Sequence, residues 1–198
     1  RLPVSDWTGR APGLVCLSPD LRARGPVGPR RKLPEPSAPL LDRWFEALDA
    51  RLERMTSEDP EVLDERGNPS GELVVVAHSL GTRLWLAHAA RSAPPVAMAD
   101  RVALVVPPKL PEGADRSVFA DVDLAATDPG RVARSTRVVL SETDHWWPGL
   151  GAAAGIAEPL GLPVDVIGEA GHVEPADGYG PWPAMLAWCL GERADIGA

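Results

Sequence analysis

The sequence predicts an α/β fold: a mainly parallel central sheet with helices on both faces. Three observations carry that expectation. The apolar runs at 14–17, 73–76, 102–106, 138–140 and 164–167 are dominated by Val, Leu and Ile. Most are continuous, the pattern of strands buried on both faces. Segments with apolar residues at helical spacing lie between and after them. Finally, one run ends in a serine with small residues two positions to either side, Ala77-His78-Ser79-Leu80-Gly81, and passes directly into a helical pattern. With 198 residues the chain is expected to form one domain, over 1–198, with a sizeable core.

Taken in order, residues 1–13 are polar and rich in Pro and Gly, and Leu14-Val15-Cys16-Leu17 is a short strand ended by Ser18-Pro19-Asp20. The Pro-rich stretch 24–39, with its basic cluster Arg30-Arg31-Lys32, reads as a solvated connector. Leu41, Trp44, Phe45, Leu48, Leu52 and Met55 then fall at helical spacing, with charged residues between them, so their aromatic stripe is core. A polar connection, 56–71, leads to the strand that carries Ser79, and 82–91 is helical. The next strand, 102–106, is stopped by Pro107-Pro108. Residues 109–134 read as a surface excursion over the site. The strand 138–140 follows, then a helix over 149–160, a strand at 164–167 and a loop at 168–183. Trp182, Met185, Leu186 and Leu190 mark a closing helix with Pro183 in its first turn.

Composition excludes several classes. No apolar run reaches the length of a membrane span. Acidic residues outnumber basic ones 28 to 20, a net charge of −8 that repels nucleic acid and anionic lipid. There is no GxGxxG after the first strand and no GxxxxGK[ST], so neither dinucleotide nor P-loop chemistry is supported. The four histidines lack zinc-site spacing and no metal site is expected. Cys16 and Cys189 stand far apart; two thiols in a reducing compartment and a bridge between them both fit.

The chemistry collects at strand ends, where parallel sheets place their active groups. A serine at a tight strand-to-helix turn is presented as a nucleophile, with the next N–H, that of Leu80, at a helix N-terminus facing a developing oxyanion. The same pattern also fits a helix-capping serine. Serine needs a positioned base, and His172 lies in the loop after the last strand behind Ala170-Gly171. The imidazole needs an orienting carboxylate; Asp144 follows the strand 138–140, with Glu142 a weaker competitor nearer the strand. Nucleophile, acid and base stand in the order used by α/β-hydrolases. His78, His145, Trp146 and Trp147 are candidates for substrate contact; packing under a loop fits both tryptophans equally well.

Three segments carry a family resemblance: Ala77-His78-Ser79-Leu80-Gly81, Ser141-Glu142-Thr143-Asp144, and the stretch from Gly171-His172 through Gly178-Tyr179-Gly180-Pro181-Trp182-Pro183. Together they resemble the small serine hydrolases of the retinoblastoma-binding-protein-9 / YdeN family. The last is the most specific, matching a GH…GFG-W-P pattern with tyrosine in place of phenylalanine. Val105-Val106-Pro107-Pro108 is similar to that family's strand after the elbow. The resemblance covers roughly 40–190. It implies an α/β-hydrolase fold without a large cap, esterase-like activity on a small-molecule acyl substrate, no cofactor and a cytoplasmic location. Residues 1–40 match poorly. The family's first strand and its Pro-Gly-Trp-type loop, which helps form the oxyanion hole, have no counterpart, so the chain is expected to be N-terminally incomplete. Losing one oxyanion donor costs roughly 100- to 1000-fold in rate. The expected activity is cleavage of a carboxylic ester or related acyl group through an acyl-enzyme. A catalytically impaired hydrolase-fold binding protein and an acyltransferase are the alternatives.

Overall fold

The computed structural model describes residues 14–17, 41–56, 72–91, 97–110 and 122–197. The loops read at 1–13, 24–39 and 57–71, the side chains of Cys16 and Met55, and part of the 109–134 excursion lie outside the described residues. Five strands form one sheet in the order β1 (Leu14–Leu17), β2 (Val74–His78), β3 (Ala99–Val105), β4 (Ala133–Leu140) and β5 (Val164–Val166). All four pairings are parallel, as the continuous apolar runs predict.

Sequential order in a parallel sheet has a consequence. Right-handed crossovers between successive neighbours all fall on the same face. Accordingly α1 (Leu41–Thr56), α2 (Leu80–Ala90) and the helical run before β5 share one core with Val75, Ala77, Val102, Leu104, Val138 and Leu140. The alternate residues Val74, Ala103, Val105 and Val139 face the other way. There they meet Met185, Trp188 and Cys189 of α4 (Pro183–Cys189), together with Ile196. Leu48 and Leu52 of α1 are fully buried, so its predicted stripe is core.

Several boundaries differ from expectation. The strand read at 138–140 begins at Ala133, because Arg134 and Ser135 point to solvent and hide the apolar signal while the backbone pairs from Ala99↔Ala133 onward. Val106 falls outside β3, at φ 41°. Residues 122–132, the described end of the excursion, do not lie over the site. They form two single-turn helices, Leu124–Ala126 and Pro129–Arg131, at the amino end of β4, where Val122 and Val132 are buried and Arg131 donates to the Ala89 and Arg91 carbonyls. The helix predicted over 149–160 spans 151–160 and is wound as a π-helix over Ala153–Ala157 before α3 (Glu158–Leu160).

The edge strand β5 is short and turns a carboxylate inward. Asp165 is paired with Arg137 of β4, whose Nη2 lies 2.9 Å from Oδ1, and it accepts the Ile196 N–H at 2.9 Å. Arg137 also donates to the Ala194 carbonyl, pinning the tail. On β3, Arg101 donates to the Trp188 and Cys189 carbonyls and so caps the C-terminal end of α4.

Candidate active site

Ser79 closes β2 with φ 55° and ψ −123°, a sparsely populated conformation for a residue with a side chain. The surrounding backbone imposes it. The Ser79 N–H donates to the Val105 carbonyl at 3.0 Å, and its own carbonyl accepts from Thr82 N–H at 3.0 Å and Thr82 Oγ1 at 2.6 Å. Ala77 is fully buried and Gly81 is buried, the small residues such a tight turn calls for. The Ser79 hydroxyl makes no capping bond to α2, which rules out the helix-cap reading and leaves Oγ for another partner.

That partner is His172. Its Nε2 lies 2.8 Å from Ser79 Oγ, and its Nδ1 lies 2.9 Å from Asp144 Oδ1. A carboxylate can only accept, so Nδ1 carries the proton and Nε2 is the free base that receives the serine hydroxyl. Both Asp144 and His172 are about 95% buried, at 5% and 4% exposure, while Ser79 is partly open. Burial makes the Asp144 charge expensive unless it is satisfied. Oδ1 also accepts the Trp146 N–H at 2.9 Å, which meets that need and fixes the loop. Glu142 points to solvent, and its N–H donates to the Gly168 carbonyl, so the acid is Asp144.

The remaining candidates separate into two groups. His145 and Trp146 are exposed and tilt against His172, with ring centroids 5.6 and 6.1 Å from its imidazole. His78 sits on the other side, its centroid 5.1 Å from that of His172, and burial pushes its pKa below the usual histidine value. Trp147 turns the opposite way. Its indole lies against Gly151 and Gly155, where an added methyl would overlap the ring, and the Arg83 guanidinium stacks over it at 5.8 Å. Arg83 in turn donates to the Pro108 carbonyl from Nε and Nη2, at 3.2 and 2.7 Å. Leu80 opens α2, so its N–H belongs to the first turn and has no acceptor within the helix.

Sequence reasoning misses the residues that hold the base in place. Ser141, buried at 2% exposure, accepts the Ala170 N–H at 3.0 Å. Thr143 Oγ1 accepts the Gly171 N–H at 2.9 Å, and Asp177 Oδ2 accepts the His172 N–H at 2.6 Å. No spacing rule reveals them, because each binds a backbone amide. Among the described residues no cluster of three or more His, Cys, Asp or Glu is arranged to hold a metal ion.

A parallel sheet with a Ser-His-Asp relay at its carboxyl edge defines a serine hydrolase of α/β-hydrolase type, an arrangement suited to an acyl-enzyme mechanism. A sequence model of the serine hydrolase family matches residues 29–189, and the chain belongs to that family. Among solved structures, the ydeN gene product of B. subtilis is similar over 82% of this chain and 80% of its own, at 19% identity and a TM-score of 0.58. A YdeN-like hydrolase from Pectobacterium atrosepticum is similar at 22% identity and a TM-score of 0.47, over 75% of this chain; the match spans 66% of that protein's length. No curated protein matches the sequence. Among the described residues no helix is long and apolar enough to cross a membrane.

Proposed function

We propose that the protein cleaves carboxylic esters or related small acyl compounds, as a cytoplasmic enzyme of the retinoblastoma-binding-protein-9 / YdeN type that needs no cofactor. The observation that carries this reading is the continuous relay from Ser79 Oγ through the His172 imidazole to buried Asp144, at 2.8 and 2.9 Å. Ser79 Oγ attacks the acyl carbon as Nε2 takes its proton. The Leu80 N–H, at the positive end of α2, donates to the oxygen on which charge develops. Asp144 stabilises the imidazolium, which then protonates the leaving alkoxide. Water repeats the sequence on the acyl-enzyme, with Nε2 again as base. His145 and Trp146 border the substrate.

The test is intact mass after fluorophosphonate treatment of the chain and of Ser79→Ala, alongside hydrolysis of short p-nitrophenyl esters. One adduct on the first, none on the second, and ester turnover lost with it are the expected result. Labelling of Ser79→Ala, or unchanged turnover, would overturn the reading.

A further inference from the structure

The base has a long way to come. Ser79 directly follows β2 and His172 follows β5, three strand positions away in the sheet, or about 14 Å at the usual strand spacing. The loop after β5 therefore has to reach back across the ends of β4 and β3. His172 also sits between two residues of left-handed backbone, Gly171 at φ 57° and Val173 at φ 56°. For a β-branched valine that conformation is strongly disfavoured, so the loop holds its shape only under outside restraint.

Part of that restraint is main-chain, since the Val173 N–H donates to the Ala170 carbonyl at 3.0 Å; side chains supply the rest. Ser141 and Thr143, from the loop of the acid, take the N–H groups of Ala170 and Gly171, and Asp177, from the base's own loop, takes that of His172. The His172 carbonyl is held differently. It lies 2.8 Å from Nε2 of His78, the last residue of β2 and the neighbour of the nucleophile. A carbonyl only accepts, so Nε2 of His78 carries a proton and donates. Among the described residues this is the one hydrogen bond that ties the base's backbone to the nucleophile's strand.

We propose that His78 is a positioning residue for the general base: by donating to the His172 carbonyl it sets the distance between the imidazole and Ser79 Oγ. The inference rests on Ser79, His172 and Asp144 being the working triad. A neutral His78 suits the task, since a cation there would lie beside an imidazole that must itself take up a proton. Burial favours the neutral form and so does the charge His172 takes up, while the hydrogen bond to the His172 carbonyl, Glu174 and Asp144 act against it.

The experiment compares His78→Phe, His78→Gln and His78→Asn for kcat and KM on a p-nitrophenyl ester and for the rate of fluorophosphonate labelling. Phe keeps the ring and removes the donor; kcat and labelling should both fall about tenfold with KM within about twofold, the size expected for one buried hydrogen bond. The amide of Gln reaches the place of Nε2 and should restore both rates to within about threefold of the natural chain, whereas the shorter Asn should not. A Phe variant within twofold of the natural chain, equal losses for Phe and Gln, or a change confined to KM would overturn the proposal. If the Phe variant does not fold, the contrast between Gln and Asn decides. Failure of the natural chain to label at all would instead overturn the triad, so the two failures are distinguishable.

Discussion

The nucleophile and the base are held in place by opposite means. Ser79 directly follows β2, an interior strand whose Val75 and Ala77 are fully buried, and its strained backbone is locked mainly by main-chain bonds to β3 and to the first turn of α2, with the Thr82 hydroxyl added. His172 stands on a loop after β5, a three-residue edge strand with Val164 and Val166 exposed, and it is held by side chains. The first half of the site is rigid because the core is; the second half is only as accurate as its hydrogen bonds. Substitutions in the core packed around the elbow should therefore act through stability, and substitutions of the groups that bind the His172 loop through rate.

The largest effect tests the relay itself. Asp144→Asn leaves an acceptor for the Trp146 N–H but favours the wrong tautomer of His172, and kcat should fall on the order of 10⁴-fold with the fold intact. A loss below tenfold would mean that the carboxylate does not orient the imidazole. Next, Arg137→Met leaves Asp165 buried without its ion pair and should cost about 3–5 kcal/mol in chemical unfolding. Because β5 carries the base, activity should disappear at lower denaturant than the bulk transition; coincident curves would place β5 in the same cooperative unit as β2.

A matched pair sharpens the contrast. Ala77→Leu overpacks the elbow and should lower stability by about 1–3 kcal/mol. Gly171→Ala puts a methyl against the Asp177 carboxylate at a positive φ, and should lower kcat about tenfold with a smaller loss of stability. If the Gly171 variant loses stability rather than rate, the base loop is part of the core after all. The smallest effect is the response to acid. Burial lowers the pKa values of His78 and His88 in the folded protein, so the unfolded chain takes up protons first as pH falls through about 6.5. Their neutral-state stabilisation is complete above that value and declines below it, towards the folded pKa values. Tm measured between pH 7.5 and 5.5 should fall, and less steeply in His88→Gln.

The same contrast explains what could be read from the residues. Ser79 was legible because an elbow is a local pattern: an apolar strand, a serine between small residues, a helix. Asp144 and His172 were legible from position, each just beyond a strand. Ser141, Thr143 and Asp177 were not, since a hydroxyl or carboxylate that binds an amide in another segment looks like any polar loop residue. The start of β4 was hidden because Arg134 and Ser135 face water and Arg137 serves an ion pair, so pairing with β3, rather than burial, makes that stretch a strand. Trp146 and Trp147 were indistinguishable as neighbours; Gly151 and Gly155, which make room for one indole, separate them.

The sequential strand order also fixes when the molecule can close during synthesis. The crossovers that carry α1, α2 and the helical run at 151–160 cover the first face as soon as each helix leaves the ribosome. The second face, with Val74, Ala103, Val105 and Val139, is covered by α4 and Ile196, with Ile167, Val173 and Trp182 packed at its margin. A nascent chain thus carries one finished core and one apolar sheet surface until residues 183–196 have emerged, and it has its nucleophile in place well before it is safe from aggregation.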